Sequence, residues 1–184
     1  MRYFNTEDQK RAAKSSRSTG SVGRNPKVYR YLKEPTQEFL DLLQVNDKQT
    51  LKKFYVLDFG AGKGAVHTLS LRKDGFQHVT AYDFPDNSSS VHDEFALGKE
   101  YEIVLASNVL NVQGSKEMLE KTLRQIILAM SPGGVAIMNY PKSPRYLSMS
   151  NLEMVDTLRS FFSDVVLLEG KTSTKQDMVL LCFP

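Results

Sequence analysis

The stretch Asp58-Phe59-Gly60-Ala61-Gly62-Lys63-Gly64 constrains this chain more than any other. It follows the apolar run Phe54-Tyr55-Val56-Leu57 and opens into a helical pattern, and Asp83 closes the next apolar run, Val79-Thr80-Ala81-Tyr82. Strand, glycine turn, helix, second strand and acid form a unit that holds the adenosine half of a nucleotide-like cofactor. Glycines let the backbone turn sharply and approach the ligand, and the carboxylate accepts hydrogen bonds from ribose hydroxyls.

The spacing separates the cofactor classes. A phosphate-cradling loop needs G-x-x-x-x-G-K-[S/T], whereas Lys63 is followed by Gly64 and Ala65. A dinucleotide fingerprint needs G-x-G-x-x-G, and here the third glycine comes one residue early. The turn also begins with Asp58, which would repel a pyrophosphate and suits a cationic ligand such as the ammonium of an amino acid.

Read as D-x-G-x-G-x-G, residues 58–64 resemble the first motif of class I methyltransferases dependent on S-adenosylmethionine. The resemblance implies that Asp58, Phe59, Gly60, Ala61, Gly62 and Gly64 shape the cofactor pocket, with Asp58 near the methionine amino group. It places the ribose on Asp83 and the adenine beside Phe84, with S-adenosylhomocysteine as product. The alternative is a strand-helix turn that holds no ligand.

The chain has 184 residues, enough for one domain with a proper core. Residues 1–34 carry nine Lys/Arg against three acids, and the remainder carries fifteen against eighteen. The basic excess is therefore a property of the N-terminal segment, read as a lid or arm before a single domain over residues 35–184. A lone Cys182, no secretory-type apolar start and no long apolar run lead to the expectation of a cytoplasmic, membrane-free protein. The three histidines are scattered, without metal-ligand spacing.

The pattern predicts a helix from Thr36 through Leu43, a strand at 53–58, a helix at 65–73 ending at Asp74-Gly75, and a strand at 78–83. Only about sixteen residues then precede the strand at 101–106, so the third strand should be short, near Val91-His92, or absent. A helix at 116–130 takes Ser115 as N-cap, and Ser131-Pro132-Gly133-Gly134 should separate it from a strand at 135–139. Ser150 and Glu153 form a capping box, and strands at 165–168 and 178–183 make an antiparallel hairpin. The expected fold is a three-layer α/β Rossmann-like sheet, mostly parallel, with a C-terminal antiparallel hairpin and a shortened third-strand region. The order of elements and the Ser131-Pro132-Gly133-Gly134-Val135 turn resemble the class I methyltransferase sheet across residues 53–184.

Ligands in open α/β sheets sit beyond the carboxyl ends of the strands. Ser107-Asn108-Val109-Leu110-Asn111-Val112 follows such an end and resembles the S-x-V-L segment of many class I methyltransferases. Asn108 would line the reacting centre, and Asn111 and Tyr140 would face the acceptor. Each Asn has either a carbonyl for an amino group or an NH2 for a carbonyl or phosphate, and a purely structural role stays open. The N-V-L-N-V run is similar to methyltransferase-like proteins found with bacterial DNA-modification systems.

The usual nucleobase chemistries find no match: no D/N/S-P-P-Y/F motif follows the fourth strand, and no Pro-Cys nucleophile exists. The basic segment leads to two expectations of similar weight. Its Lys10, Arg11, Lys14, Arg17 and Arg24 contact nucleic-acid phosphates while Tyr29 and Tyr31 stack on bases. Otherwise the segment is a lid in which Lys14 or Arg17 meets the methionine carboxylate. The leading expectation is an S-adenosylmethionine-dependent methyltransferase, nucleic acid slightly favoured as acceptor. Its rivals are a non-catalytic methyltransferase-like subunit and a nicotinamide-dependent oxidoreductase.

Overall fold

A computed structural model describes Glu7 and residues 27–142, 144, 146–174 and 176–184. The elements follow in the order α1 (Lys27–Lys33), α2 (Gln37–Leu42), α3 (Lys48–Leu51), β1 (Tyr55–Phe59), α4 (Val66–Lys73), β2 (His78–Tyr82) and β3 (Tyr101–Ala106). They continue with α5 (Lys116–Ala129), β4 (Met130–Tyr140), α6 (Asn151–Arg159), β5 (Asp164–Glu169) and β6 (Met178–Phe183). The six strands form one sheet in the order β2-β1-β3-β4-β6-β5. The first four are parallel, and β6 runs antiparallel between β4 and β5.

Alternation along the strands sends side chains into two cores. Val56, Ile103, Leu105, Val135, Ile137, Val179 and Leu181 meet Val28, Leu32, Phe39, Leu51 and Leu71 on the α1–α4 face. Leu57, Phe59, Val104, Ala106, Met138 and Leu180 meet Leu119, Leu123, Ile126, Val155 and Leu158 of α5 and α6 on the other. Strands buried on both faces account for continuous apolar runs such as Met178–Phe183.

The helix ends read from sequence are present. Thr36 caps α2, Ser115 caps α5, and Ser150 with Glu153 closes a reciprocal capping box on α6. The third strand is reduced to one parallel bridge between His92 and Ala81.

Besides the single-turn α3, capped by Asp47 and not assigned from the sequence, two features differ from the sequence reading. Ser131-Pro132-Gly133-Gly134 does not interrupt: β4 begins at Met130 and runs through it. The register jumps from Tyr101↔Met130 to Ile103↔Val135, five residues of β4 against two of β3, so the segment is an irregularity looped out within the strand rather than a separating turn. Second, residues 27–33, placed with the N-terminal arm by their charge, form α1 and pack into the core through Val28, Tyr29 and Leu32. The sequence reading assigned no element there because the apolar positions span barely two turns. The basic residues of α1 are committed too: Lys27 and Arg30 to Glu169, Lys27 also to Asp177, and Lys33 to Asp74.

Candidate functional site

The glycine turn, the end of β2 and the segment after β3 meet at the carboxyl edge of the parallel strands. Gly60 and Ala61 both donate backbone N–H bonds to Tyr82 O, at 2.8 and 2.9 Å, tying the turn to the end of β2. Gly60 has φ +75, and a Cβ there would lie 2.8 Å from Val109 Cγ2. A side chain is therefore excluded twice, by conformation and by space. The same contact shows how closely residues 107–113 lie against the turn. Ala65 takes the N-cap position of α4 with φ 43 and provides no side-chain cap, so the first N–H groups of that helix are left for another acceptor.

Asp58 and Asp83 sit on either side of this turn. Asp58 faces the α1–α4 side and is fully buried. Its Oδ1 accepts the Tyr29 hydroxyl at 2.7 Å, and its Oδ2 accepts the Thr68 hydroxyl at 2.6 Å. Burial pushes its carboxyl up to about 6, against the lowering effect of those two bonds. Asp58 thus does not line an open surface. A cationic ligand would reach it only by displacing one of the covering hydroxyls, or would sense its charge through them. The Tyr29 ring stacks on His67 at 4.0 Å, which fixes the hydroxyl that covers Asp58.

Asp83 is nearly buried. Its Oδ2 accepts Gly62 N–H at 2.6 Å, and its Oδ1 accepts Phe84 N–H at 2.7 Å and Asn87 Nδ2 at 3.2 Å. Burial raises its carboxyl above the ordinary range, and those three donors oppose the rise. A carboxylate has about four acceptor positions. One therefore remains for a hydroxyl, and displacing the long Asn87 bond opens a second. His92 closes the same corner: its Nδ1 accepts Ser89 N–H at 3.0 Å, which leaves the proton on Nε2 to donate to Gly62 O at 3.0 Å. The residual third-strand bridge is what places His92 there.

Phe84 is half-buried and packs on Met118, in a small cluster apart from both cores. Phe59 points the other way, into the α5–α6 core beside Tyr82, so it packs rather than lines the pocket. Ala61 and Gly62 are partly exposed on the turn, and Gly64 is exposed beyond it. Ser107 is half-buried at the end of β3.

Asn108 is left-handed at φ 56 and exchanges two bonds with Asn139 of β4. Asn108 N–H donates to Asn139 Oδ1 at 2.6 Å, and Asn139 Nδ2 donates to Asn108 Oδ1 at 2.8 Å. Asn111 is buried in the turn that follows, and its Oδ1 has no hydrogen-bond partner among the described residues. Such an orphan carbonyl costs about 1–3 kcal/mol and is open to a ligand, and Gln125 Oε1 of α5 is orphaned in the same way.

Tyr140 belongs elsewhere. It is fully buried, its hydroxyl reaches Leu147 O and Met149 O, and it receives Met149 N–H. Its job is to anchor the loop before α6, so the expectation that it faces an acceptor is corrected. Tyr29 is buried and engaged with Asp58, so its ring is not presented for stacking on bases, whereas Tyr31 keeps a partly exposed ring with its hydroxyl on Glu169 at 2.9 Å. Lys14 and Arg17 lie outside the described residues. Cys182 is buried in β6, and burial pushes its thiol up, away from nucleophile chemistry.

The sequence reading missed Tyr29 as a partner of Asp58, together with Thr68, Asn87, His92 and Asn139. Asn139 carried a signal, being a polar residue in an apolar strand. Asn87 reaches Asp83 locally, through the turn that follows β2, and the rest are brought in by tertiary contacts.

The geometry agrees with the comparisons. Solved structures of similar fold include a TehB-like SAM-dependent methyltransferase from Corynebacterium glutamicum, 16% identical, with a TM-score of 0.55 over 97% of this chain and 99% of that one. Magnesium protoporphyrin IX methyltransferase from Synechocystis, with bound SAM, is 15% identical with a TM-score of 0.57 over 97% and 100%. The glycopeptide N-methyltransferase MtfA, complexed with S-adenosylhomocysteine, is 12% identical with a TM-score of 0.54 over 91% and 97%. No protein of curated function matches the sequence. Among the described residues no helix is long and apolar enough to cross a membrane. The family profile described as a methyltransferase domain matches residues 25–165, so it takes in α1 and Tyr29 and the four parallel strands and ends at the start of β5. The chain belongs to this methyltransferase-domain family and carries the Rossmann-like α/β fold of the class I, S-adenosylmethionine-dependent methyltransferases.

Proposed function

We propose that this chain transfers a methyl group from S-adenosylmethionine to an acceptor seated beyond the carboxyl ends of β3 and β4. The observation that carries the reading is the pair of buried carboxylates, Asp58 and Asp83, bracketing a glycine turn that a Cβ at Gly60 would obstruct. The residues present fit the cofactor. Asp83 retains an acceptor position for a ribose hydroxyl, Phe84 and Met118 supply an apolar slot for a planar base, and the buried charge of Asp58 favours a cation nearby. When bound, S-adenosylmethionine supplies an electrophilic methyl on a sulfonium. The chain's own task is to align a nucleophile with it and exclude water, which Asn108, Asn111 and Val109 are placed to do.

We favour a small-molecule or peptide acceptor over nucleic acid. The burial of Tyr29 against Asp58 supports this, because it takes away one of the two rings that base stacking would use. Two of the similar structures are named for a porphyrin and a glycopeptide methyltransferase. A nucleic-acid acceptor rests on the basic residues before position 26 and keeps that support only. Calorimetric titration of the full chain with S-adenosylmethionine, S-adenosylhomocysteine and NAD tests the cofactor. Binding of the first two and not the third is expected; binding of NAD alone would overturn the reading. Filter binding to a single-stranded oligonucleotide at two salt concentrations then tests the acceptor class. Salt-sensitive retention would return nucleic acid to first place.

A further inference from the structure

The amide pair after β3 fixes more than its own geometry. A backbone N–H can only donate, so the bond from Asn108 N–H decides that Asn139 turns its carbonyl oxygen toward it. The NH2 of Asn139 then lies against the Asn108 side chain, which must answer with its carbonyl oxygen. The Asn108 carbonyl is thereby used inside the fold, and the group left for a ligand is its NH2, on a half-buried side chain. No bond from that NH2 to the protein occurs among the described residues. Asn139 sits in β4, on the face shared with Ile137 and Val135, with Ala106↔Met138 as the neighbouring register pair. The pair therefore stands at the junction of two strand ends, where an acceptor would enter.

We propose, resting on the methyltransferase reading, that Asn139 is a positioning residue that makes Asn108 a hydrogen-bond donor to the methyl acceptor. The acceptor class follows: a molecule that brings a carbonyl or oxyanion oxygen to this point beside its nucleophile. A molecule presenting only N–H donors there would set donor against donor, and a site built for one polarity discriminates against the other. Serine or threonine in place of Asn139 would not enforce this, since a hydroxyl rotates to suit either partner. The orientation comes from an amide whose two ends are distinct and are both read by Asn108.

The test is side-chain amide NMR on the full isotope-labelled chain, with the Asn108 resonance identified by its loss in Asn108→Asp. Sodium benzoate is the oxyanion probe and benzylammonium chloride the donor probe. Benzoate should move the Asn108 Nδ2 protons downfield and saturably, and benzylammonium should not. Asn139→Asp keeps an acceptor for Asn108 N–H but removes the NH2, so Asn108 turns its own NH2 inward. The benzoate response should then be lost while the fold, read from the backbone amides, persists. No movement with benzoate, or an equal movement in Asn139→Asp, would overturn the proposal. So would a response to S-adenosylhomocysteine that is missing with 5′-methylthioadenosine, since Asn108 would then serve the amino-acid carboxylate of the cofactor. Failure of the methyltransferase reading looks different: Gly60 and Gly62 amides would not respond to S-adenosylhomocysteine, while benzoate titration of the ligand-free chain would still decide the role of Asn108.

Discussion

The carboxyl ends of β1 and β2 and those of β3 and β4 lie side by side in one sheet, yet they are finished in different chemistry. The first pair ends in carboxylates, Asp58 and Asp83, and every carboxylate oxygen already accepts a bond from the fold. The second pair ends in neutral amides, where Asn108 and Asn139 exchange two bonds that leave the Asn108 NH2 over, and Asn111 keeps an unpartnered carbonyl. The difference follows from desolvation. A buried charge without partners costs several kcal/mol, so a site for a cationic, ribose-bearing ligand must be bonded internally before the ligand arrives. An amide left half-satisfied costs about 1–3 kcal/mol, which a domain tolerates where a ligand is to bind.

If charge sets the β1–β2 end apart, its signature is a pH dependence that the β3–β4 end lacks. The Asp58 carboxyl is raised to about 6 in the fold, so between about pH 4 and pH 6 the folded chain holds a proton that the unfolded chain has lost. Stability from this group is therefore greatest at low pH and falls as pH rises to about 6, by up to about 3 kcal/mol. Denaturant titrations should show this slope in the wild type and a shallower one in Asp58→Asn, where the raised Asp83 carboxyl alone still contributes, and Asp58→Asn should be the more stable at neutral pH. An unchanged slope would remove the charge from the comparison.

Asp83→Ala comes next. Losing the bonds offered to ribose should weaken S-adenosylhomocysteine binding by roughly 1.5–3 kcal/mol, read by calorimetry. Equal binding would take Asp83 out of the site. The glycine turn gives a graded pair. Gly60→Ala meets both a positive φ and the Val109 methyl, whereas Gly62→Ala, with φ +73, meets nothing within 4 Å. Gly60→Ala should cost about 2–3 kcal/mol of stability and Gly62→Ala about 1 kcal/mol. Similar costs would mean that residues 107–113 do not press on the turn. The smallest effect belongs to the amide end: Asn111→Leu removes an orphaned carbonyl and should raise stability by about 1 kcal/mol while weakening turnover. A loss of stability on thermal melting would show that the carbonyl finds a partner in solution.

The two regions were also unequally legible. The glycines and the two acids could be placed from sequence because turn conformation and strand-end position are local properties. The caps at Ser115 and Ser150 and the collapsed third strand were legible for the same reason, since spacing alone limited them. Tyr29 was not, because a hydroxyl 29 residues from Asp58 finds it only when α1 docks on the sheet. Tyr140 was misread because its strand end pointed to the site while alternation turned its ring to the opposite core. The irregularity in β4 was misread because Pro-Gly-Gly favours turns, while pairing of Met130 and Val135 with β3 on either side keeps the segment within the strand.

The sequence by itself determined the succession of elements from β1 onward, the glycine turn with its two acids and hence the family, because these rest on residue type and short spacing. The tertiary structure alone decided which hydroxyls cover Asp58, that His92 closes the corner over Gly62, and that Asn108 shows its NH2 and not its carbonyl. Those outcomes depend on groups from distant elements meeting at a strand end, where desolvation requires each buried donor and acceptor to find a partner.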